Sequence, residues 1–257
     1  MNHSRQIDTT VLSVAGFDPS GGAGVLADVK TFEANGVYGF GVVSALTVQN
    51  DREFDSVQWV DTELILQQLD ALLRRFDIRH IKIGLIKDAA TLRAVADHLH
   101  ERIDRPTIVF DPILSASAGF VFHEGLTVAD IAKGLSLLTP NIPEAQRLFG
   151  ADAMEEKLMN WSHTLPVYLK GGHSDADNVT DLLFYQGQTH RFCAQRLPQG
   201  AKHGSGCVLS AAVTAQLAQR KGLAAAAQEA FSYTGRFLAS TDALLGYHFN
   251  QVVYEEH

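Results

Sequence analysis

Short apolar runs alternate along this chain with stretches whose apolar residues recur every three or four positions. Val11 to Ala15 is short, β-branched and stopped by Gly16, which predicts a buried strand. The segment from about Gly24 to Asn35 predicts a helix, with Gly36 as the glycine that ends it. Gly41 to Val48 and Ser56 to Val60 predict strands, and Thr62 to Phe76 puts Ile65, Leu69, Leu72, Leu73 and Phe76 on one helical face. Ile81 to Ile86 predicts a strand, Ala89 to His100 a helix, and Thr107 to Phe110 a strand that stops at Asp111-Pro112. Leu135 to Leu138 and Val167 to Leu169 repeat the strand pattern, each running into a polar loop. Val179 to Tyr185 and His190 to Cys193 flank Gln186-Gly187 and predict an antiparallel pair at a sheet edge. Helices are expected from Ser205 to Arg220 and from Leu223 to about Leu245.

Strands alternating with helices predict an α/β protein with a mostly parallel sheet. No linker, repeat or low-complexity tract interrupts residues 1–257, so one domain is expected. Ligands of such sheets bind at the carboxyl ends of the strands. The predicted strand ends carry Asp18, Gln49, Lys82, Asp111, Asn141, Glu144 and Lys170.

Composition narrows the function. An apolar fraction of 46% with 19% charged residues excludes a wholly disordered chain. A net charge of −8, from 21 basic and 29 acidic residues, argues against generic nucleic-acid binding through a basic face. Any phosphorylated ligand must then be held by a local site. Cys193 and Cys207 form no CxxC pair or disulfide framework. Met1 to Thr10 lacks the apolar stretch of a signal peptide, and no run of 18 apolar residues occurs. A cytoplasmic protein without a membrane span is expected.

The 21 glycines barely exceed average usage, and their placement is what informs. Gly16, Gly21, Gly22 and Gly24 fall within nine residues, between the first strand and the first helix. They let backbone approach a ligand at a helix start, which favours an anion or polar group; a bare strand-to-helix turn needs only one or two glycines. Gly22-Ala23-Gly24-Val25-Leu26-Ala27 also fits the dinucleotide pattern G-x-G-x-x-A, but its first glycine lies six residues beyond Gly16 and past a proline rather than at the strand's end. No Gly-Lys dipeptide exists, so no Walker A motif is present.

The second cluster, Ala201-Lys202-His203-Gly204-Ser205-Gly206-Cys207, precedes an Ala-rich helix. Its backbone amides can form a concavity for a phosphate or a developing negative charge. Cys207 falls in the first helical turn, where the dipole is expected to lower the thiol pKa, so that the thiol accepts a proton from an attacking hydroxyl or positions it. Cys193 reads as a small buried hydrophobe. Two glycine-rich helix starts suggest a small polar molecule at one and a nucleotide phosphate at the other, as phosphoryl transfer requires. That chemistry also needs a divalent metal with oxygen donors, for which Asp111 and Glu144 are suitable types. The 11 histidines show no metal-ligand spacing, and His98 and His100 read as a solvated helix face.

Val14 to Gly24 followed by Ala27-Asp28-Val29-Lys30-Thr31-Phe32 resembles the start of hydroxymethylpyrimidine/phosphomethylpyrimidine kinases, a thiamine-biosynthesis family within the ribokinase-like superfamily. The resemblance continues, in family order, through Ala45 to Asn50, Lys82-Ile83-Gly84, Asp111-Pro112, Thr139 to Ala145, Lys170-Gly171-Gly172-His173 and His203 to Cys207. It implies a three-layer α/β/α fold with an antiparallel edge. It implies a pyrimidine pocket lined by Gly16, Asp28 and Gln49, with Gln49 on the aminopyrimidine edge and Leu85 and Ile113 as apolar walls. Gly204, Ser205 and Gly206 would form the anion hole, and Cys207 takes the catalytic position that sugar kinases of the superfamily fill with Asp. Asn141 and Glu144 match an N-x-x-E motif linked to Mg2+ and phosphate; Asp111 and Lys170 would neutralise charge near the phosphates of ATP. Phosphorylation of the hydroxymethyl group, a second phosphorylation and a homodimer follow as expectations.

The chain departs from the family pattern in places. Ser205 stands where Thr is usual and Ile113 where Val is common, segment 146–165 is compact, and the end of the chain lacks the longer glycine-rich tail often seen. A pyridoxal kinase shares most of these features, and a non-catalytic ligand sensor on the same fold is the alternative of a different class. The Gly-Phe-Asp-Pro-Ser-Gly-Gly-Ala-Gly loop with Thr47-Val48-Gln49-Asn50 favours the pyrimidine, and the intact anion hole favours an enzyme.

Overall fold

The computed structural model describes residues 9–114, 127–171, 177–198 and 202–249. Gly172, His173, Ala201 and most of the polar segment before Thr10 lie outside the described residues. The elements in chain order are β1 (Thr10–Phe17), α1 (Gly24–Ala34), β2 (Tyr38–Gln49), β3 (Phe54–Trp59), α2 (Thr62–Leu73), β4 (His80–Ile83), α3 (Ala89–Arg102), β5 (Thr107–Phe110), α4 (Val128–Ile131), β6 (Leu137–Leu138), α5 (Ile142–Phe149), α6 (Met154–Trp161), β7 (Val167–Leu169), β8 (Asn178–Tyr185), β9 (Gln188–Gln195), α7 (Ser205–Ala218) and α8 (Leu223–Leu238).

The strands form one nine-stranded sheet in the order β3-β2-β1-β4-β5-β6-β7-β8-β9. Strands β2, β1, β4, β5, β6 and β7 run parallel to their neighbours within that block. Both edges are antiparallel, β3 against β2 at one and the β8–β9 hairpin at the other. Alternate residues of the central strands go to opposite faces, as the period of 2 demands. Leu12, Val14, Ile81, Ile83, Ile108 and Phe110 pack with residues of α2 and α3, whereas Val11, Val109, Leu137 and Tyr168 pack with residues of α1, α7 or α8. Burial on both faces explains why β1 reads as a continuous apolar run. The result is the expected α/β/α sandwich.

Strand order reverses at β1, since the chain goes from β1 to β2 on one side and returns to β4 on the other. A crevice therefore opens at the carboxyl ends of β1 and β4. Helix α7 runs close behind it. Eleven of its fourteen residues are buried, so it is apolar all round rather than amphipathic. Its alanines let it lie close to α1: Ala211, Ala215 and Ala218 share a core cluster with Phe32 and Val11.

Several boundaries differ from the sequence expectation. Strand β2 starts at Tyr38 rather than at 41, because Gly39 and Gly41 hide the alternation that buried Phe40 and Val42 maintain. Strand β3 shifts to Phe54–Trp59, and β6 shrinks to Leu137–Leu138. Helix α8 stops at Leu238, seven residues early, and 241–249 is irregular. Helices α4, α5 and α6 have no counterpart in the sequence expectation. They are only four, eight and eight residues long, too short for a clear period. Cys193 is exposed, not buried, because Phe192 takes the inward position on β9.

The loop after β1 depends on Gly24, which adopts φ +61 and would place a Cβ on the carbonyl of Gly16. A left-handed φ alone costs an alanine about 1–2 kcal/mol, and the overlap adds to it. Gly24→Ala is expected to lower the melting temperature by at least about 2 °C, measured by circular dichroism.

Candidate active site

The two glycine clusters meet. Gly204 is the residue before α7, with φ +73, and a Cβ there would overlap the carbonyl of Gly22. The backbone amide of Gly24 opposes, weakly, the rise in the Cys207 thiol pKa. Asp18 organises the first loop from within. Its carboxylate accepts from Ser20 N at 2.9 Å, Ser20 Oγ at 2.9 Å and Ala23 N at 2.9 Å, and pairs with His203 Nε2 at 2.8 Å. Burial opposes its charge, but these hydrogen bonds, led by His203, hold Asp18 below the ordinary aspartate value.

A cavity of about 750 Å³ spans the junction. At one end it is lined by Gly16, Gln49, Leu85 and Ile113. Gln49 is held by its amide nitrogen, which donates to Thr47 Oγ1 at 2.8 Å, while Thr47 itself donates to the Phe17 carbonyl at 2.9 Å. In the middle lie Gly204, Ser205, Gly206 and Cys207 at the start of α7, which no side chain caps. The orphan amides of such a helix start favour negative charge. The Lys170 ammonium sits beside this turn, 3.2 Å from where a Gly206 Cβ would be.

Lys170 bonds Asp111 Oδ1 at 2.7 Å and lies 3.9 Å from Glu144 Oε2. Burial would lower the Lys170 pKa, but Asp111 and Glu144 raise it above the ordinary lysine value. Both Asp111 oxygens already have protein donors: Lys170 and Thr139 (3.5 Å) on Oδ1, Ser210 (3.1 Å) on Oδ2. Asn141 and Glu144 form a reciprocal capping box at the start of α5, each backbone N–H donating to the other's side chain at 2.8 Å. Burial, reinforced by Asp111 and opposed by Lys170, pushes the Glu144 carboxyl up to about 7. The N-x-x-E motif is thus a helix start whose Glu also lines the cavity.

Two expectations are corrected. Asp28 does not line the pocket. It is fully buried behind it, accepting from Ser13 Oγ at 2.5 Å and from Lys82 Nζ at 2.8 and 3.0 Å. Burial would lower the Lys82 pKa, but Asp28 raises it above the ordinary lysine value. Cys207 does not have a lowered pKa either. Burial pushes its thiol up to about 11, outweighing the opposing Lys82 charge; the dipole at the helix start does not overcome the loss of solvent. His98 and His100 are bonded rather than merely solvated, to Asp70 at 3.0 Å and the Gly134 carbonyl at 2.9 Å.

The far end of the cavity was missed in the sequence. Val179 and Ala194 of the β8–β9 hairpin, Leu197, and Phe231 and Leu238 of α8 form an apolar wall there. These residues look like ordinary amphipathic filler in one dimension. Segment 146–165 contributes nothing to the lining, so the compactness noted there leaves the cavity wall untouched.

The buried Lys82–Asp28 pair supports the floor under α7. Lys82→Met would leave a carboxylate buried without its cation, at a cost of about 3–5 kcal/mol. Urea unfolding is expected to show that loss, and Lys82→Met with Asp28→Leu to recover most of it.

Comparison with known proteins agrees with the geometry. The phosphomethylpyrimidine kinase family model matches residues 18–252. A hydroxymethylpyrimidine/phosphomethylpyrimidine kinase of Escherichia coli (strain K12) is 36% identical over 245 residues, covering 91% of this chain and 92% of its own. The solved phosphomethylpyrimidine kinase of Clostridium difficile 630 superposes with a TM-score of 0.72 at 26% identity, over 89% of this chain and 99% of that one. The pyridoxal kinase of Staphylococcus aureus in complex with ADP gives a TM-score of 0.76 at 26% identity, over 90% and 87% of the two chains. The chain belongs to the phosphomethylpyrimidine kinase family.

Proposed function

We propose that this protein transfers the γ-phosphoryl group of ATP to the hydroxymethyl group of 4-amino-5-hydroxymethyl-2-methylpyrimidine, and then a second phosphoryl group to the monophosphate. The observation that carries the proposal is the single cavity joining Gln49, Gly16, Leu85 and Ile113 to the uncapped α7 start beside Lys170. The pyrimidine lies at the first end, with Gln49 on its amino edge. The nucleoside lies along the apolar wall of β8, β9 and α8, which brings its phosphates to the amides of Gly204, Ser205 and Gly206.

The hydroxyl oxygen attacks phosphorus as the bond to ADP breaks. Such transition states are loose, so catalysis is mostly positioning and charge stabilisation. Lys170 and the α7 amides face the charge that develops on the equatorial oxygens. With its pKa near 11, the Cys207 thiol stays protonated at neutral pH. Its role here is to hold the attacking hydroxyl, whose proton passes to the transferred phosphoryl group as the new bond forms. Hard carboxylate oxygens suit Mg2+, which commonly binds through one or two carboxylates and the substrate phosphates. Glu144 would hold it, Asp111 acting mainly through Lys170. Once bound, the metal would neutralise phosphate charge. Among the described residues no group of three or more His, Cys, Asp or Glu forms a ready metal cage.

A second copy of the chain against the exposed Leu46 and Val48 of β2 belongs to the same proposal, as does a cytoplasmic location. Among the described residues no helix is long and apolar enough to cross a membrane.

Release of ADP with the hydroxymethylpyrimidine, its monophosphate and pyridoxal, assayed in parallel, tests the reading. Turnover is expected with the two pyrimidines; preference for pyridoxal would transfer the assignment to the fold neighbour's substrate, and tight binding without ADP release would sink it. Cys207→Ala is expected to lower kcat by about 10²-fold with little change in pyrimidine KM. Gln49→Ala is expected to raise that KM about tenfold while kcat holds. Steady-state kinetics on both variants checks the division of roles.

A further inference from the structure

We propose that Lys202 is a positioning residue, an internal cation that ties the irregular segment after α8 to the loop carrying the anion site. Lys202 lies two residues before Gly204, and its place beside a phosphate nest suggests a phosphate-binding lysine. The geometry says otherwise. Its side chain is buried, and its ammonium donates to the Thr241 carbonyl at 2.6 Å, the Ala243 carbonyl at 2.7 Å and Thr241 Oγ1 at 2.8 Å. An ammonium has three N–H donors, and three protein oxygens take them all.

The same segment then crosses both glycine loops. The His203 N–H donates to the Leu244 carbonyl at 2.9 Å. The Leu245 side chain packs on the first loop, 2.7 Å from where a Cβ of Gly22 would stand. Gly246 lies against the Lys202 stem and Phe237 of α8, leaving no room for a side chain. Thr241 Oγ1 donates to the Leu245 carbonyl at 2.6 Å and so closes the turn. Residues 241–246 therefore act as a strap from α8 over the Gly22–Gly204 contact.

Lys202 is the electrostatic centre of that strap. Two carbonyls and a hydroxyl converge on one point, and without a cation there they repel one another and lose their hydrogen bonds. Removing the ammonium would free the strap and let Gly204 and the first turn of α7 shift. A displacement of about 1 Å in such a positioning element costs on the order of 10²-fold in rate. The Lys202 stem lines the cavity, but its ammonium is committed to the strap, so the affinities would hold.

This inference rests on the proposed phosphoryl transfer, and its test separates the two. Lys202→Met is expected to lower kcat by about 10²-fold with KM for ATP and for the pyrimidine unchanged. Methylammonium is expected to restore turnover to Lys202→Ala, whereas tetramethylammonium at equal ionic strength does not. Exchange of the His203 amide, followed by hydrogen–deuterium exchange, is expected to quicken in both variants. Unchanged kcat in Lys202→Met overturns the proposal. So does a loss confined to ATP KM, which would make Lys202 a nucleotide ligand. Should Lys202→Met fail to fold, Thr241→Val, which removes one of the three oxygens, is expected to lower kcat about fivefold with the melting temperature kept; no loss overturns the idea. A wild-type protein that releases no ADP defeats the kinase reading alone, and His203 exchange in the variants still decides the strap: quickened exchange upholds it and unchanged exchange refutes it.

Discussion

The contact between the backbone of Gly204 and the carbonyl of Gly22 is the constraint on which the site depends. It brings the start of α7 against the loop after β1: a Cβ on Gly204 would overlap that carbonyl, and one on Gly22 would meet the His203 and Leu245 side chains. The rest of the arrangement serves that approach. The alanines of α7 let the helix sink against α1. Asp18 gathers the amides of the first loop and reaches His203 in the second. Lys202 draws the strap over the outside. A phosphate nest becomes part of a two-ended cavity only because these elements close on one another.

Charge explains how an acidic chain can serve an anion. The net charge of −8 would repel a nucleotide at long range. The site answers with groups that act only at short range. Lys170 lies half-buried beside the α7 turn and Lys82 is buried behind it, each held to an aspartate. Such pairs cost desolvation and are weak evidence for stability. Their value here is that each lysine is held in place before a ligand arrives, as electrostatic preorganisation requires. The raised thiol pKa of Cys207 follows from the same burial. A site dry enough to strengthen its cations is too dry to favour a thiolate.

Much of the architecture was legible in one dimension. The apolar runs at β1, β4, β5 and β7 are short, bounded by polar residues and buried on both faces, so they stand out whatever surrounds them. The β8–β9 hairpin was marked by Gln186-Gly187. Residues with long-range consequences were harder to read. Gly39 and Gly41 concealed the first part of β2, because a missing side chain carries no polarity signal. Helices α5 and α6 are too short to show a period. Asp28 sits in a glycine-rich block that points to a ligand, yet its carboxylate faces Lys82, fifty-four residues away.

The chain by itself determined the glycine placements, the strand ends rich in polar residues and the family motifs, since these are local chemistry: a left-handed turn needs glycine, and a helix start needs a cap. Only the tertiary structure decided which of those polar residues face the cavity and which face each other. Gln49 opens to the cavity while Asp28 is spent on Lys82, and Lys170 meets the anion turn while the ammonium of Lys202, two residues before Gly204, is spent on the strap. The reason is physical. A buried charge must find its partner within a few ångströms, and that partner comes from whichever distant segment the packing brings there.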